Sequence, residues 1–273
     1  MINVSIVLYK SEPKSLEKTL YSVINSAIVR KIFLVDNSPE DRLKTLKELD
    51  SRIVYIFTGK NLGYGKANNI AIRETLKDKT PYHLVLNPDV WFDAGTLEAI
   101  YEFMEENPST GLVMPMVRTP GGEIQYLCRL LPTPFDLIIR RFLSWWPLEV
   151  IFRDRMFRHE LRCSGYSKIM EVPFLSGCFM LIRAKALQEC GLFDERYFLY
   201  CDDLDLCRRI GFRYKTIFFP HAQVQHGWKR GSYKNFKLLI VHIYDCFKYF
   251  NQYGWINDKY RDEINAKVIR ELC

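Results

Sequence analysis

The chain has 273 residues, 48% hydrophobic and 26% charged, and its 39 basic and 32 acidic residues give a formal net charge of +7. That balance excludes global disorder and allows a substantial core, as one large domain or a domain with an appendage. The cationic excess suits an anionic partner, and the aromatic residues interleaved with late basic ones favour phosphorylated or lipid-surface partners over nucleic acid.

In chain order, Val4–Tyr9 is a short apolar run, followed by amphipathic Lys14–Val29 with Leu16, Leu20, Val23, Ile24 and Ala27 at helical spacing. Ile32–Val35 and Ile53–Phe57 have strand patterns, with a helix expected over Asp41–Leu49 between them. Lys66–Leu76 reads as helix and His83–Leu86 as strand; helix Ala94–Glu106, strand Leu112–Val117 and a hairpin turn at Pro120-Gly121-Gly122 follow. Arg129–Lys168, with prolines, Trp145, Trp146 and many arginines, fits no regular element. Order resumes with Val172–Ile182, helix Ala184–Cys190, a helix starting near Asp203 and strand Tyr214–Phe219; Tyr233–Tyr249 and Asp258–Leu272 read as helical.

Strands alternating with helices predict an α/β fold, a mostly parallel sheet covered on both faces, with a C-terminal helical extension. The expected division is residues 1–228, in two halves at 1–118 and 119–228 with a variable insert at 129–170, then the extension at 229–273. Ligands of such sheets bind beyond the carboxyl ends of the strands. Three polar clusters fall there: Asp36-Asn37-Ser38, Asn61-Leu62-Gly63-Tyr64-Gly65 and Asn87-Pro88-Asp89.

The eight cysteines include no C-x-x-C pair, which speaks against structural zinc. With Val4–Tyr9 too short and too early for a secretory leader, a reducing, cytoplasmic setting with unpaired cysteines is expected. No apolar run approaches the roughly 20 residues that span a bilayer.

The chemistry concentrates in two acidic clusters. Asp89, past a buried strand, is a hard oxygen ligand suited to Mg²⁺ or Mn²⁺, and Asn87 offers a neutral oxygen; alone, Asn-Pro-Asp is a common turn. Asp202-Asp203-Leu204-Asp205 opens a helix, where the dipole favours ionised carboxylates and one can accept a proton from an attacking hydroxyl. The plainer alternative is N-capping with an Asp205–Arg209 ion pair. Asp36 can accept from a base imide or ribose hydroxyl, or cap a turn. The Asn61–Gly65 loop entering a helix, with Lys66, Asn68 and Asn69, favours phosphate but is no P-loop. His226 is a candidate neutral nitrogen ligand, and His221 lacks such context. Trp145 and Trp146 with Arg140, Arg141, Arg153, Arg155 and Arg158 suit shallow contact with an anionic membrane, as do Lys229, Arg230, Lys234, Lys237 and Lys248 among tail aromatics.

Taken together, Val4–Tyr9, Val35–Ser38, Asn61–Asn69, Leu86–Asp89, Phe174–Arg183, Gly191–Glu195, the Asp202-Asp203 segment and Pro220–His226 resemble family 2 glycosyltransferases of the GT-A (Rossmann-like) fold. The similarity leans to the rhamnosyltransferase-like branch that builds bacterial surface polysaccharides. It implies a nucleotide-sugar-binding half at 1–118 and an acceptor or catalytic half at 119–228, with nucleotide-sugar contacts at Tyr9, Asp36, Asn61, Gly63, Lys66, Asn68 and Asn87, and a Mg²⁺ or Mn²⁺ at Asp89 with His226. Asp203 matches the second residue of the family's Glu-Asp pair, usually the base, and Asp202 stands where the glutamate is usual. The implied reaction is inverting transfer from dTDP-rhamnose or a UDP-hexose to a lipid-diphosphate-linked saccharide, by an enzyme peripheral on the inner face of the cytoplasmic membrane. Two alternatives stand beside it: a nucleotidyltransferase, which would carry a basic glycine-rich loop absent from Val4–Ser11, and a catalytically silent sugar- or membrane-binding module.

Overall fold

A computed structural model describes residues 1–138, 148–227 and 236–273. Arg140, Arg141, Trp145, Trp146, Lys229, Arg230 and Lys234 lie outside the described residues.

The first half alternates as its pattern predicts. Strand β1 (Ile2–Leu8) leads through helix α1 (Pro13–Ile24) to β2 (Val29–Asp36), then β3 (Ile53–Phe57), helix α2 (Tyr64–Lys77) and β4 (Tyr82–Leu86). The short β5 (Val90–Trp91), helix α3 (Thr96–Glu106) and β6 (Thr110–Arg118) complete it. These strands pair in the order β3-β2-β1-β4, all parallel.

Period-two alternation along β1 decides what covers each face. Ile2, Val4, Ile6 and Leu8 join Leu16, Leu20 and Val23 of α1 in the main core, whereas Val7 packs with Phe33, Val35, Ala67 and Ala71 beneath α2. The α2 side also holds a buried polar cluster in which Asn3 donates to Thr75, Ser5 donates to Asn68, and the His83 ring bridges Thr75 and Ser5. Burial holds the His83 imidazole far below its usual range, at about 3, so it stays neutral at physiological pH.

Past β6, the Pro-Gly-Gly segment turns as expected: Thr119 N–H donates to the Glu123 carbonyl, and Arg118 bridges Ile124. Then come β7 (Cys128–Arg129), helices α4 (Pro134–Ile138) and α5 (Leu148–His159), β8 (Met170–Glu171), β9 (Phe174–Leu175) and β10 (Phe179–Arg183). Helices α6 (Ala184–Cys190) and α7 (Asp202–Gly211) precede the long β11 (Lys215–His226), and α8 (Phe236–Tyr253) and α9 (Lys259–Leu272) close the chain. Strand β10 runs antiparallel between β4 and β6, β11 runs parallel to β6, and β5 and β8 pair antiparallel with β11.

Several expectations are corrected. Asp41–Leu49 forms only a 3-10 turn at Lys44–Glu48, because Leu43 is its one buried apolar anchor and no amphipathic stripe is available to pack. Helix α1 ends at Ile24, since Val29 already pairs with Ile2. Val172–Ile182 is split by a turn at Gly177–Cys178, and β11 continues past Phe219 through an irregularity at Pro220–Ala222 to His226. The unassigned 129–168 region contributes α4 and α5, and its Arg155 is engaged by Asp136 and stacks on Phe135, rather than standing as a loose surface cation. Cys163 and Cys273 form a disulfide, where unpaired cysteines were expected, because the turn at Arg162–Ser164 and the chain's last residue pack side by side with Cα atoms 5.3 Å apart. Helices α8 and α9 join the main core through Tyr249, Phe250 and Val268.

Candidate active site

Strand register gathers the polar clusters. Asp36 pairs with Leu8 and Leu86 with Ile6, so Ser38, Tyr9 and Asn87 leave the sheet at one edge. Because β10 runs antiparallel with Phe179 opposite Leu86, the Ser176–Cys178 turn enters the sheet at that same edge. Val90 of β5 pairs with His226, which brings the end of β11 beside Asp89.

The turn at 176–178 joins the two acidic clusters. Asn87 N–H donates to the Cys178 carbonyl (2.9 Å), and the neighbouring Gly177 N–H donates to Asp203 Oδ2 (2.9 Å). A side chain at Gly177 would begin 3.2 Å from Asp203 Cβ, so glycine permits this approach. The Cys178 thiol responds to both clusters: burial pushes it up first, and the charges of Asp89 and Asp203 add to the rise.

Asp89 and His226 form the second half. His226 Nε2 lies 3.4 Å from Asp89 Oδ1, and the Gly227 N–H donates to the Asp89 carbonyl. Gln125, placed by the hairpin after β6, donates its side-chain N–H to the His226 carbonyl and turns its Oε1 to His226 Nδ1 (2.9 Å each). An Oε1 can only accept, so Nδ1 donates to it and Nε2 is the ring nitrogen turned towards Asp89. One carboxylate oxygen and one imidazole nitrogen make a donor pair suited to Mg²⁺ or Mn²⁺. No cluster of three metal-ligating side chains occurs among the described residues, so a cation here would need oxygens from a bound diphosphate or water.

Asp202 and Asp203 differ sharply. Both open α7, immediately after Cys201, whose left-handed backbone (φ 63°) turns the chain into the helix. Asp203 is half-buried; its Oδ1 also accepts from Leu204 N–H. Asp202 is buried, and its Oδ2 has no hydrogen-bond partner among the described residues and lies against α2, 3.3 Å from where a Gly65 side chain would begin. Burial, then the neighbouring charge of Asp203, pushes its carboxyl up to about 8, so it is largely protonated at neutral pH. The plainer features of this helix are present too, with an Asp205–Arg209 ion pair at 2.7 Å.

The loop that presents this pair is held from behind. Asp245 of α8 is fully buried, and its carboxylate accepts from the N–H groups of Phe198, Leu199 and Tyr200. Neither Asp245 nor Gln125 carries a motif. A lone acid in the otherwise basic and apolar run between Asp205 and Asp258 is the signal that points to the first, and the hairpin folding 123–126 back along β6 points to the second.

The other sequence candidates divide. Asp36 is buried, its carboxylate accepting from Ser38 N–H and the Tyr55 hydroxyl, which leaves lone pairs for a further donor. Tyr9 is exposed at the edge, and Asn61 shapes its loop by accepting from Gly63 N–H. Gly63 has φ 87°, and a side chain there would meet the Phe198 carbonyl at 2.3 Å, so this loop packs directly on the loop leading to Asp202. Lys66 pairs with Glu195 at 3.4 Å while remaining about half exposed. Asn68 is buried and bonded to Ser5 and the Tyr64 carbonyl, facing the core.

The family model described as glycosyl transferase family 2 matches residues 4–191. The chain belongs to this family. An N-acetylglucosaminyl-diphospho-decaprenol L-rhamnosyltransferase of Mycobacterium tuberculosis is 30% identical over 182 residues, covering 62% of this chain and 57% of that protein. The chain thus aligns with little more than half the length of that relative. The rhamnosyltransferase WbbL of Escherichia coli is 26% identical over 249 residues, covering 86% of this chain and 88% of its own. Both of these similar proteins are named rhamnosyltransferases. Among solved structures, GalNAc-T7 with UDP, GalNAc and Mn²⁺ superposes with a TM-score of 0.60 at 16% identity, over 84% of this chain and 44% of that one. The mannosyltransferase PcManGT of Pyrobaculum calidifontis, in complex with GDP-Man and Mn²⁺, gives 0.58 at 18% over 84% and 58%. These likenesses establish the GT-A fold.

Proposed function

We propose that the protein is an inverting glycosyltransferase that moves a sugar from a nucleoside diphosphate donor to a hydroxyl of a lipid-diphosphate-linked saccharide. The observation that carries this reading is the 176–178 turn, hydrogen-bonded on one side to the Asn87–Asp89 segment and on the other to Asp203. In the reaction, an acceptor oxygen forms a bond to the anomeric carbon as the bond from that carbon to the diphosphate breaks. Asp203 takes the hydroxyl proton, and the nucleoside diphosphate departs. Asp203 is the better base of the two neighbours because Asp202, buried and mostly protonated, has no charge to offer. Asp202 instead acts as a neutral wedge between α7 and α2.

Asp36 receives a hydrogen bond from the nucleoside, while the loop at Asn61–Lys66, Tyr9 and Asn87 border the donor. Asn68 supports that loop from the core. Asp89 and His226 Nε2 are the residues that would hold a Mg²⁺ or Mn²⁺, whose charge when bound offsets that of the leaving diphosphate. The Mn²⁺ reported with two structural neighbours is consistent with that donor pair. The relatives' names favour a rhamnose donor, dTDP-rhamnose ahead of a UDP-hexose, and surface-polysaccharide assembly (O-antigen or capsule) at the inner membrane face.

Radiolabelled transfer from dTDP-rhamnose tests the assignment. Asp203→Asn should lower turnover by about 10²- to 10⁴-fold, the usual contribution of a positioned base, while donor-induced thermal shift persists. Asp89→Ala should abolish the part of that shift that depends on Mn²⁺. Wild-type turnover in Asp203→Asn would remove the base and the mechanism with it.

A further inference from the structure

Helix α8 has an inner and an outer face of opposite character. Inward, Asp245, Tyr249 and Phe250 are buried against the enzyme. Outward, Phe236, Ile240, Ile243, Tyr244 and Phe247 recur at intervals of three and four residues and form one stripe, each at least half exposed. Trp255 extends it, its ring 5.2 Å from that of Phe247. A contiguous apolar surface of this kind on an enzyme calls for a covering partner.

Charge selects the partner. No acidic residue occurs between Asp205 and Asp245, and Asp245 itself is buried beneath the helix. The helix bears Lys237 beside Phe236, and in sequence Lys229, Arg230 and Lys234 immediately precede it. A second copy of this face would bring cation to cation with no carboxylate to pair. An anionic bilayer supplies both phosphates for the cations and an apolar interior for the stripe. The same helix holds, through Asp245, the loop that presents Asp203, so a docked α8 lies one helix diameter (about 10 Å) from the catalytic segment.

We infer that the outer face of α8 is a membrane-docking surface that lies in the headgroup region of an anionic bilayer. This deepens the reading above, since an acceptor carried on a lipid must be met at the membrane surface, and it rests on that reading for its biological purpose only.

Co-sedimentation of the full chain with vesicles of phosphatidylcholine alone, or of equimolar phosphatidylcholine and phosphatidylglycerol, tests it. The wild type should pellet with the anionic vesicles and be released by raised salt. Ile240→Ser with Phe247→Ser, both exposed, should weaken that binding at least tenfold, because each large apolar side chain contributes about a tenfold factor when buried. Transfer to a water-soluble acceptor should be unchanged in the double variant. A wild type that stays in the supernatant, a variant that binds as well as the wild type, or a dimer that the variant dissociates in sedimentation velocity would each overturn the docking surface. Vesicle binding that behaves as expected, with no transfer by the wild type, would support the surface and count against the transferase reading alone.

Discussion

Adjacent carboxylates at Asp202 and Asp203 meet different surroundings because one α-helical step turns a side chain by about 100°. Asp203 faces the 176–178 turn, and Asp202 faces α2, where Oδ2 finds no donor among the described residues. The folded state therefore holds the Asp202 proton more tightly than an unfolded chain, whose aspartate ionises near about 3.9. With a raised folded-state value, the sign is fixed: this group's contribution is fully present below about 4 and is lost as pH rises through about 8. Asp202→Asn, which mimics the protonated acid, should flatten that loss. Urea unfolding followed from about pH 5 up to about pH 8 should show the wild type weakening more steeply than the variant, and the variant should keep most of its transfer activity. Parallel curves for the two proteins would refute the neutral-wedge role.

Elements, more than residues, decided what could be read from sequence. The parallel half-sheet was legible because β1, β2 and β4 are short, mostly apolar and largely buried runs, and the three polar clusters follow directly from strand ends. Asp89 and His226 could be named, but their partnership depends on β5 and β11 pairing across more than a hundred residues, which no local pattern encodes. Asn68 sits in a loop-to-helix motif that suggests phosphate, yet helical phase turns its amide under the sheet to Ser5. The helix expected at 41–49 shrinks to a 3-10 turn, and the α4–α5 region fits no expected element, for the opposite reason: neither has a clear amphipathic period. Asp245 was invisible as chemistry, since its role is to gather three backbone N–H groups from another loop. As a positioning residue, it predicts a specific kinetic pattern. Asp245→Asn should lower kcat about 10- to 100-fold, as loss of supporting partners does elsewhere, with donor KM near the wild-type value. A rise in donor KM with kcat intact would show that the loop shapes the donor pocket and not the base.

Across the whole molecule, the C-terminal helices are bound to the catalytic body by buried polar links as well as apolar packing. Arg208 of α7 and Asp258, the N-cap residue of α9, are each 4% exposed and meet through two hydrogen bonds of 2.6 and 2.7 Å. The Arg208 guanidinium also lies over the rings of Tyr253 and Tyr260 and donates to the Tyr249 hydroxyl. Asp205 accepts from Tyr253, so α7 is attached to α8 and α9 along its length. The helix that opens with Asp202 and Asp203 is therefore held by the tail, which makes the tail's packing part of the geometry around the proposed base. Breaking one side of a buried ion pair leaves an uncompensated charge, a loss of about 3–5 kcal/mol, whereas replacing both partners by apolar groups is often nearly neutral. Asp258→Ala should accordingly lower unfolding stability by that amount and reduce transfer, and Arg208→Met combined with Asp258→Leu should recover most of the stability. Chemical denaturation of the three proteins measures both effects. A double variant as weak as the single one would mean that the ring stacking and Tyr249 contact of Arg208, rather than its charge pairing, fasten the tail to the enzyme.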